Sequence, residues 1–418
     1  MKISFHRLPT RFVLAITLAA TVGLAQEINR DVNPALLYWQ AFSQTPNLSE
    51  EDRGYFFTNE WRNGSLPARF SQIAHQYDSM FTLLRRARQA HQPCAWGIDL
   101  SDGPDTLLPG LAKAKQAALV AALRARLFLQ QNNQAAARDE LLAAFVLGRN
   151  ICTDRTLISA LVQIAIENIV TGFVAEKFHQ FSPEILAELV AGMDAAPSRG
   201  TVAQCIPTEK LAFQDWFIRK IQQFEIQRHG DQHAILSDVR DMLLRILSNE
   251  EGKPLADASD KIIAAAGGSS AGLIAYAQQM EPLYAELESV MKMPYAEFQS
   301  QVKPLIEKHK NSPNLLVQHF FPAVDRCRGK EFSAIARIEM VRAAAHLRSS
   351  GDQGFNRIPD PFGHGPFQFS RFKLGGVDRG FTVKSQLKWR DEDELLIFAD
   401  KPGPAFYIDG PRAGQKIP

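Results

Sequence analysis

From about residue 33 to residue 350, apolar side chains recur at three- and four-residue steps, the spacing of one face of an α-helix. Asn33-Pro34 reads as an N-cap with proline at the first helical position, followed by an apolar face of Leu36, Leu37, Trp39 and Phe42. A second helix starts near Pro67 and carries Phe70, Ile73, Tyr77, Phe81 and Leu84. Arg85, Arg86 and Arg88 close it, suit the negative end of the helix dipole and read as a solvated face. A loop with Pro93, Cys94, Trp96, Gly97, Gly103 and Pro104 follows. The clearest unit comes next: a helix from about Leu107 to Gln130, a turn at Asn132-Asn133, and a return helix from Gln134 to Asn150. Asparagine tolerates the left-handed conformation such a turn needs. Thr153-Asp154 is expected to cap a helix running to about Phe178, apolar around most of its circumference and therefore central. Ser182-Pro183-Glu184 opens another helix, and Thr208 a longer one interrupted near Gly230. Further helices are expected around 255–266, 271–292, 294–310 and 330–349, punctuated by prolines.

After Gly351 the period changes to two. Phe367 and Phe369 alternate with polar residues, as do Phe381, Val383, Leu387 and Trp389, then Leu395, Ile397 and Ala399, with Phe406 to Ile408 as a possible fourth run. The pattern therefore predicts a mainly α protein, an array of antiparallel helical hairpins with a small C-terminal antiparallel β-meander. The expected division is a signal segment over 1–25, a helical domain over 26–350, and a β-rich tail over 351–418 packed on the last helix.

Two resemblances attach to these elements. Ala125 to Leu147 resembles one tetratricopeptide unit, without a second copy in register. Arg337-Ile338-Glu339-Met340-Val341-Arg342-Ala343-Ala344, then Ile358-Pro359-Asp360-Pro361-Phe362-Gly363 and the meander, resemble the tail of uncharacterised exported bacterial proteins. That tail is similar to the globular end of type II secretion major pseudopilins. Cys94-Ala95-Trp96 and Leu107-Leu108-Pro109 resemble the helical part of the same group. A prepilin cleavage site is missing, and Lys401-Pro402-Gly403-Pro404 stands where an acidic Gly-Pro-Asp-Gly-type loop would be sought. The resemblance thus implies an exported setting and no inherited activity, filament assembly or calcium site.

The N-terminus points the same way. Lys2, Arg7 and Arg11 lead into an uncharged apolar run from Phe12 to Ala25, and Gly23 and Ala25 are small at the positions that precede cleavage before Gln26. The whole chain has 418 residues with 47 basic and 45 acidic side chains. Removal of the segment takes three basic groups and no acid, leaving 44 against 45, so nucleic acid is not an expected partner. No membrane span is expected after cleavage, since no later apolar run reaches the ~18–20 residues required. In an oxidising compartment Cys94, Cys152, Cys205 and Cys327 are disulfide candidates. The antiparallel hairpin between them brings Cys94 and Cys152 to one end of the array, which predicts that pair and, by elimination, Cys205 with Cys327.

Candidate chemistry is sparse. Gly268-Ser269-Ser270-Ala271-Gly272 matches the G-x-S-x-G spacing that exposes a serine nucleophile on a strand-to-helix turn, with Ser270 as the nucleophile and a base sought among His309, His319, His346 and His364. Its context here is helical, so a turn between helices is expected instead. His229 and His233, with Asp231 near, have the spacing of a shared metal face but lack a third ligand. Asp391-Glu392-Asp393-Glu394 reads as a solvated hairpin turn, and Asp99 and Asp102 as loop-turn residues beside Trp96. No cofactor motif is present. The expectation is an exported, non-enzymatic helical binding or scaffold protein of the bacterial envelope, periplasmic or extracellular, with an unidentified protein or small-molecule partner. The alternative is an exported hydrolase using Ser270.

Overall fold

The computed structural model describes residues 32–57, 66, 68–247, 256–321, 324–389, 392–408 and 412–416; the signal segment, Pro67 and Asp391 lie outside them. Asn33 accepts the Ala35 amide at 3.0 Å and so starts α1 (Pro34–Ser43). Three short helices follow, α2 (Glu50–Phe57), α3 (Ala68–Gln76) and α4 (Asp78–Arg88). The long hairpin is α5 (Pro109–Gln130) and α6 (Gln134–Ile151). Asn132 takes the left-handed conformation at φ 57°, and the Asn133 side chain caps α6 by accepting from Ala136 at 3.0 Å.

Helix α7 (Leu157–Glu176) packs against both arms of that hairpin. Its cap is Thr156 rather than Thr153-Asp154, because the chain first makes a 3-10 turn over Cys152–Asp154. Among the described residues α7 alone has the length and apolarity of a membrane span, which no later run was expected to have. Two thirds of that window is buried by other helices, so its apolarity is explained by its central place. Ser182 and Pro183 open α8 (Pro183–Asp194) as the sequence predicts.

The next helix begins at Thr201, not Thr208. Thr201 and Gln204 form a reciprocal capping box for α9 (Val202–Lys210), and Pro207 sits inside the helix rather than before it. A π segment over Leu211–Asp215 follows, then α10 (Trp216–Gln227). Beyond the break at Gly230 come α11 (Gln232–Ile246), α12 (Ala256–Ala265), α13 (Ser270–Gln278), α14 (Glu281–Lys292), α15 (Tyr295–Lys310) and α16 (Leu315–Phe320). The last helix, α17 (Val324–Phe355), is broken at Gly351, whose φ of 62° is non-helical.

Strands β1 (Gln368–Leu374), β2 (Val377–Trp389) and β3 (Glu392–Phe398) form one antiparallel sheet in the order β1-β2-β3. The expected fourth strand is only a bridge, Phe406 to Lys416. Register shifts between Lys384 and Lys388, where the Asp360 carboxylate takes over from the ladder. It accepts from the Ser385 hydroxyl at 2.7 Å and the Gln386 amide at 2.6 Å, with the Phe362 amide at 3.0 Å closing its own turn. The sheet packs on α17 and on the end of α7. Phe178, just past α7, sits 5.5 Å from Phe381 and 5.3 Å from Phe398, ring centre to ring centre.

Candidate binding site

The sequence motif comes first. Ser270 is the first residue of α13, behind a cap formed by Ser269. The residue is 2% exposed, and its hydroxyl donates to Glu225 Oε1 at 2.6 Å and accepts from Gln232 Nε2 at 3.1 Å. Both glycines have structural reasons. Gly268 has φ 63° in the turn that ends α12, and a Cβ on Gly272 would overlap the Ala266 carbonyl. The motif is thus a tight helix-to-helix turn, and the serine is committed to two internal hydrogen bonds.

The other candidates resolve similarly. His229 and His233 are both exposed, and the Asp231 carboxylate between them caps α11 through the His233 and Ala234 amides. Among the described residues no group of three or more metal-ligating side chains gathers. Asp99 accepts from the Ser101 amide at 2.8 Å in a local turn. Glu392, Asp393 and Glu394 belong to β3 rather than to a turn; Asp393 pairs with Lys384 at 2.6 Å across the strands and Glu394 with Arg337 of the last helix at 2.6 Å.

All four cysteines are free thiols, and the expected Cys94–Cys152 partnership is not formed. The hairpin does return to the Cys94 end, where the Trp96 indole donates to the Asn150 carbonyl at 2.7 Å. The 3-10 turn then presents Thr153 to Cys94 and directs the Cys152 thiol onto Gly200 and Cys205. Cys205 Sγ also reaches the Thr201 carbonyl at 3.3 Å, and its thiol is held protonated by the Cys152 hydrogen bond and by burial. Burial pushes the Cys94 thiol up to about 12. Cys327 is half-buried and was expected opposite Cys205, whose thiol neighbour is instead Cys152.

A cavity of about 220 Å³ opens where the sheet meets α7. Arg126 of α5, Lys177 and His179 beyond α7, Arg379 of β2 and Lys401 in the loop after β3 supply its charged and titratable wall, with Glu176 as the acid. The loop is fixed from below. The Ala399 amide donates to the Ala175 carbonyl and the Ala399 carbonyl accepts from the His179 amide, both at 2.9 Å. His179 Nδ1 also lies 3.1 Å from the Ala399 carbonyl, which assigns the ring proton to Nδ1. Burial, then Lys177 and Arg379, hold the His179 pKa below its ordinary value, so the ring is neutral at pH 7.

The cations of this wall are not equivalent. Lys177 pairs with Glu176 at 2.7 Å, and Lys401 with Asp378 at 2.8 Å. Arg379 is 8% exposed, gives one long hydrogen bond to the Pro404 carbonyl at 3.4 Å, and leaves Nε without a hydrogen bond. No carboxylate pairs with it among the described residues. Its guanidinium lies against Gly403, where a Cβ would overlap it and the arginine would have to shift. The described wall carries no serine, threonine, cysteine or tyrosine. Its charged side chains are of the kind that recognise charge.

None of these residues was singled out from the sequence except Lys401-Pro402-Gly403-Pro404, noted as a loop. Arg126, Lys177, Arg379 and Lys401 come from segments far apart in the chain, and no spacing announces them. A second, more apolar cavity of about 240 Å³ is lined by Leu287, Met291, Val302, Leu305, His309 and Phe321. Comparison of the chain with protein-family models, with curated proteins and with solved structures finds no match.

Proposed function

We propose that the protein is an exported, non-enzymatic binding or scaffold protein of the bacterial envelope, and that its ligand seats where the C-terminal sheet meets the helical body. The observation that carries this reading is the cavity at that seam, walled by buried cations from α5, the end of α7 and β2, with the exposed Lys401 of the loop after β3 at its rim. Ligand sites concentrate in concave seams of this kind. The charged start and apolar run of the first 25 residues, and the resemblance of the tail to those of exported proteins, support the setting. The inward hydrogen bonds of Ser270 favour this reading over a serine hydrolase.

Cell fractionation followed by native mass spectrometry tests it. The full chain should be found in the envelope fraction, processed before Gln26, and should carry a small-molecule or protein adduct that is lost on denaturation. A fluorophosphonate probe should leave the native protein unmodified. Retention of Met1 in a cytoplasmic pool would refute export. Labelling that disappears in Ser270→Ala would refute the non-enzymatic reading.

A further inference from the structure

We infer that the seam cavity is a site for a small oxyanion, a carboxylate or a phosphate, with Arg379 as its counter-charge. The inference rests on the binding reading above and specifies the ligand class. Arginine keeps its proton throughout the accessible pH range, so burying Arg379 cannot be relieved by neutralisation. An unpaired buried charge is strongly unfavourable, and the usual remedy is a carboxylate. The two nearest lysines already have theirs in Glu176 and Asp378, whereas among the described residues Arg379 has only the long bond to Pro404 and an Nε without a hydrogen bond. The neutral His179 adds no repulsion to an anion and keeps Nε2 facing Gln180 rather than a carboxylate.

Size narrows the ligand. A cavity of about 220 Å³ is smaller than the ~300–1,000 Å³ pockets of drug-sized ligands. Planar, forked recognition of carboxylate or phosphate oxygens is what a guanidinium supplies and an ammonium does not. Lys177 and Lys401 would add attraction from the sides while remaining paired. The apolar part of the wall, Phe406 and Ile408, sets a limit on how polar the rest of the ligand is.

Calorimetric titration of the full chain at pH 7 with sodium phosphate and, separately, sodium succinate tests this, with ionic strength held constant by sodium chloride. At least one oxyanion should bind saturably with a dissociation constant below 1 mM, and Arg379→Gln should weaken it by tenfold or more. Binding of phosphate alone, or of succinate alone, identifies which source of the shared chemistry the site prefers. If Arg379→Gln is unfolded by circular dichroism, Lys401→Gln at the rim should weaken binding at least threefold. Absence of binding beyond chloride, or unchanged affinity in the variant that folds, overturns the inference. An adduct seen by native mass spectrometry without oxyanion binding would overturn the ligand class and leave the binding role standing.

Discussion

The main-chain amide of Ala399 donates to the carbonyl of Ala175 at 2.9 Å, joining the end of β3 to the last turn of α7. The return bond from His179 to Ala399 makes the connection reciprocal, and the Phe178, Phe381 and Phe398 rings pack over it. The tail is thus attached to the centre of the helical body and not only to its last helix. Gly351, Asp352 and Gln353 are exposed around the break in α17, so limited proteolysis with a broad-specificity protease should nick there first. The nicked pieces should still elute together on native gel filtration and separate only on denaturation. A first cut within residues 107–180, or release of the tail under native conditions, would contradict this arrangement.

Any disulfide formed by Cys152 is expected to join Cys205. The two thiols are in contact, and both residues are at most 1% exposed. Such a bond would close a loop of about 50 residues, for which the chain-entropy model gives about 4 kcal/mol if the link is unstrained. Non-reducing peptide mapping of exported protein is the check. A Cys94–Cys152 peptide would show that the 3-10 turn after α6 is rearranged.

His309 gives a pH dependence. Its ring lies 3.8 Å from that of Phe321, centre to centre, and burial, opposed by Glu286 and reinforced by Lys308, brings its pKa down to about 4. The unfolded chain, with an ordinary histidine near 6.5, binds the proton more readily than the native state between those values. Stability is therefore full above pH 6.5 and falls as pH drops toward 4. The interval corresponds to about 3 kcal/mol, reduced to roughly 1–2 kcal/mol because the ring lines an open cavity where solvent screening weakens the effect. Urea unfolding at pH 6.5 and 4.5 should show this loss in the wild type and a smaller one in His309→Asn. Equal losses would refute it.

Glu167, in the middle of α7, has its oxygens 2.7 Å from Arg199 and 3.1 Å from Arg149 and is wholly buried. Burial pushes its carboxyl up, and the two guanidiniums oppose that push. Replacing it by alanine strands two largely buried cations, so Glu167→Ala should destabilise the protein by about 3–5 kcal/mol. The exposed pair Arg240–Asp260 serves as a control, because surface pairs contribute little. Thermal melts should show a large loss for Glu167→Ala and no resolvable change for Asp260→Asn.

Local signals carried the reading wherever one turn of chain decides the outcome. Asn33, Asn132-Asn133 and Ser182 act through their own backbones, and each sits where its side chain predicts. Helix α9 opens upstream of Thr208, at the Thr201–Gln204 box, and runs on through Pro207, a residue type commoner at helix starts than inside them. In β3 the alternation of Leu395, Ile397 and Ala399 suggests one buried face, yet Leu396 and Phe398 are fully buried as well. The cover comes from α7 and α17, which no period in the strand encodes. The seam cavity was illegible for the same reason: its cations meet only after the tail has docked.

Five residues, Leu211–Asp215, bond one position further along than the α-helices on either side of them. Ile206 before them and Phe217 and Ile221 after them all remain buried. Loss of one residue within the five would let the segment close to ordinary α-helical bonding with both flanks still in phase. The same loss in the middle of α7 would rotate every later side chain by about 100° and turn its buried faces outward. Descendants of this chain can therefore shorten there without refolding around the change, which makes the stretch a point of tolerated length variation inside an otherwise length-locked helical body.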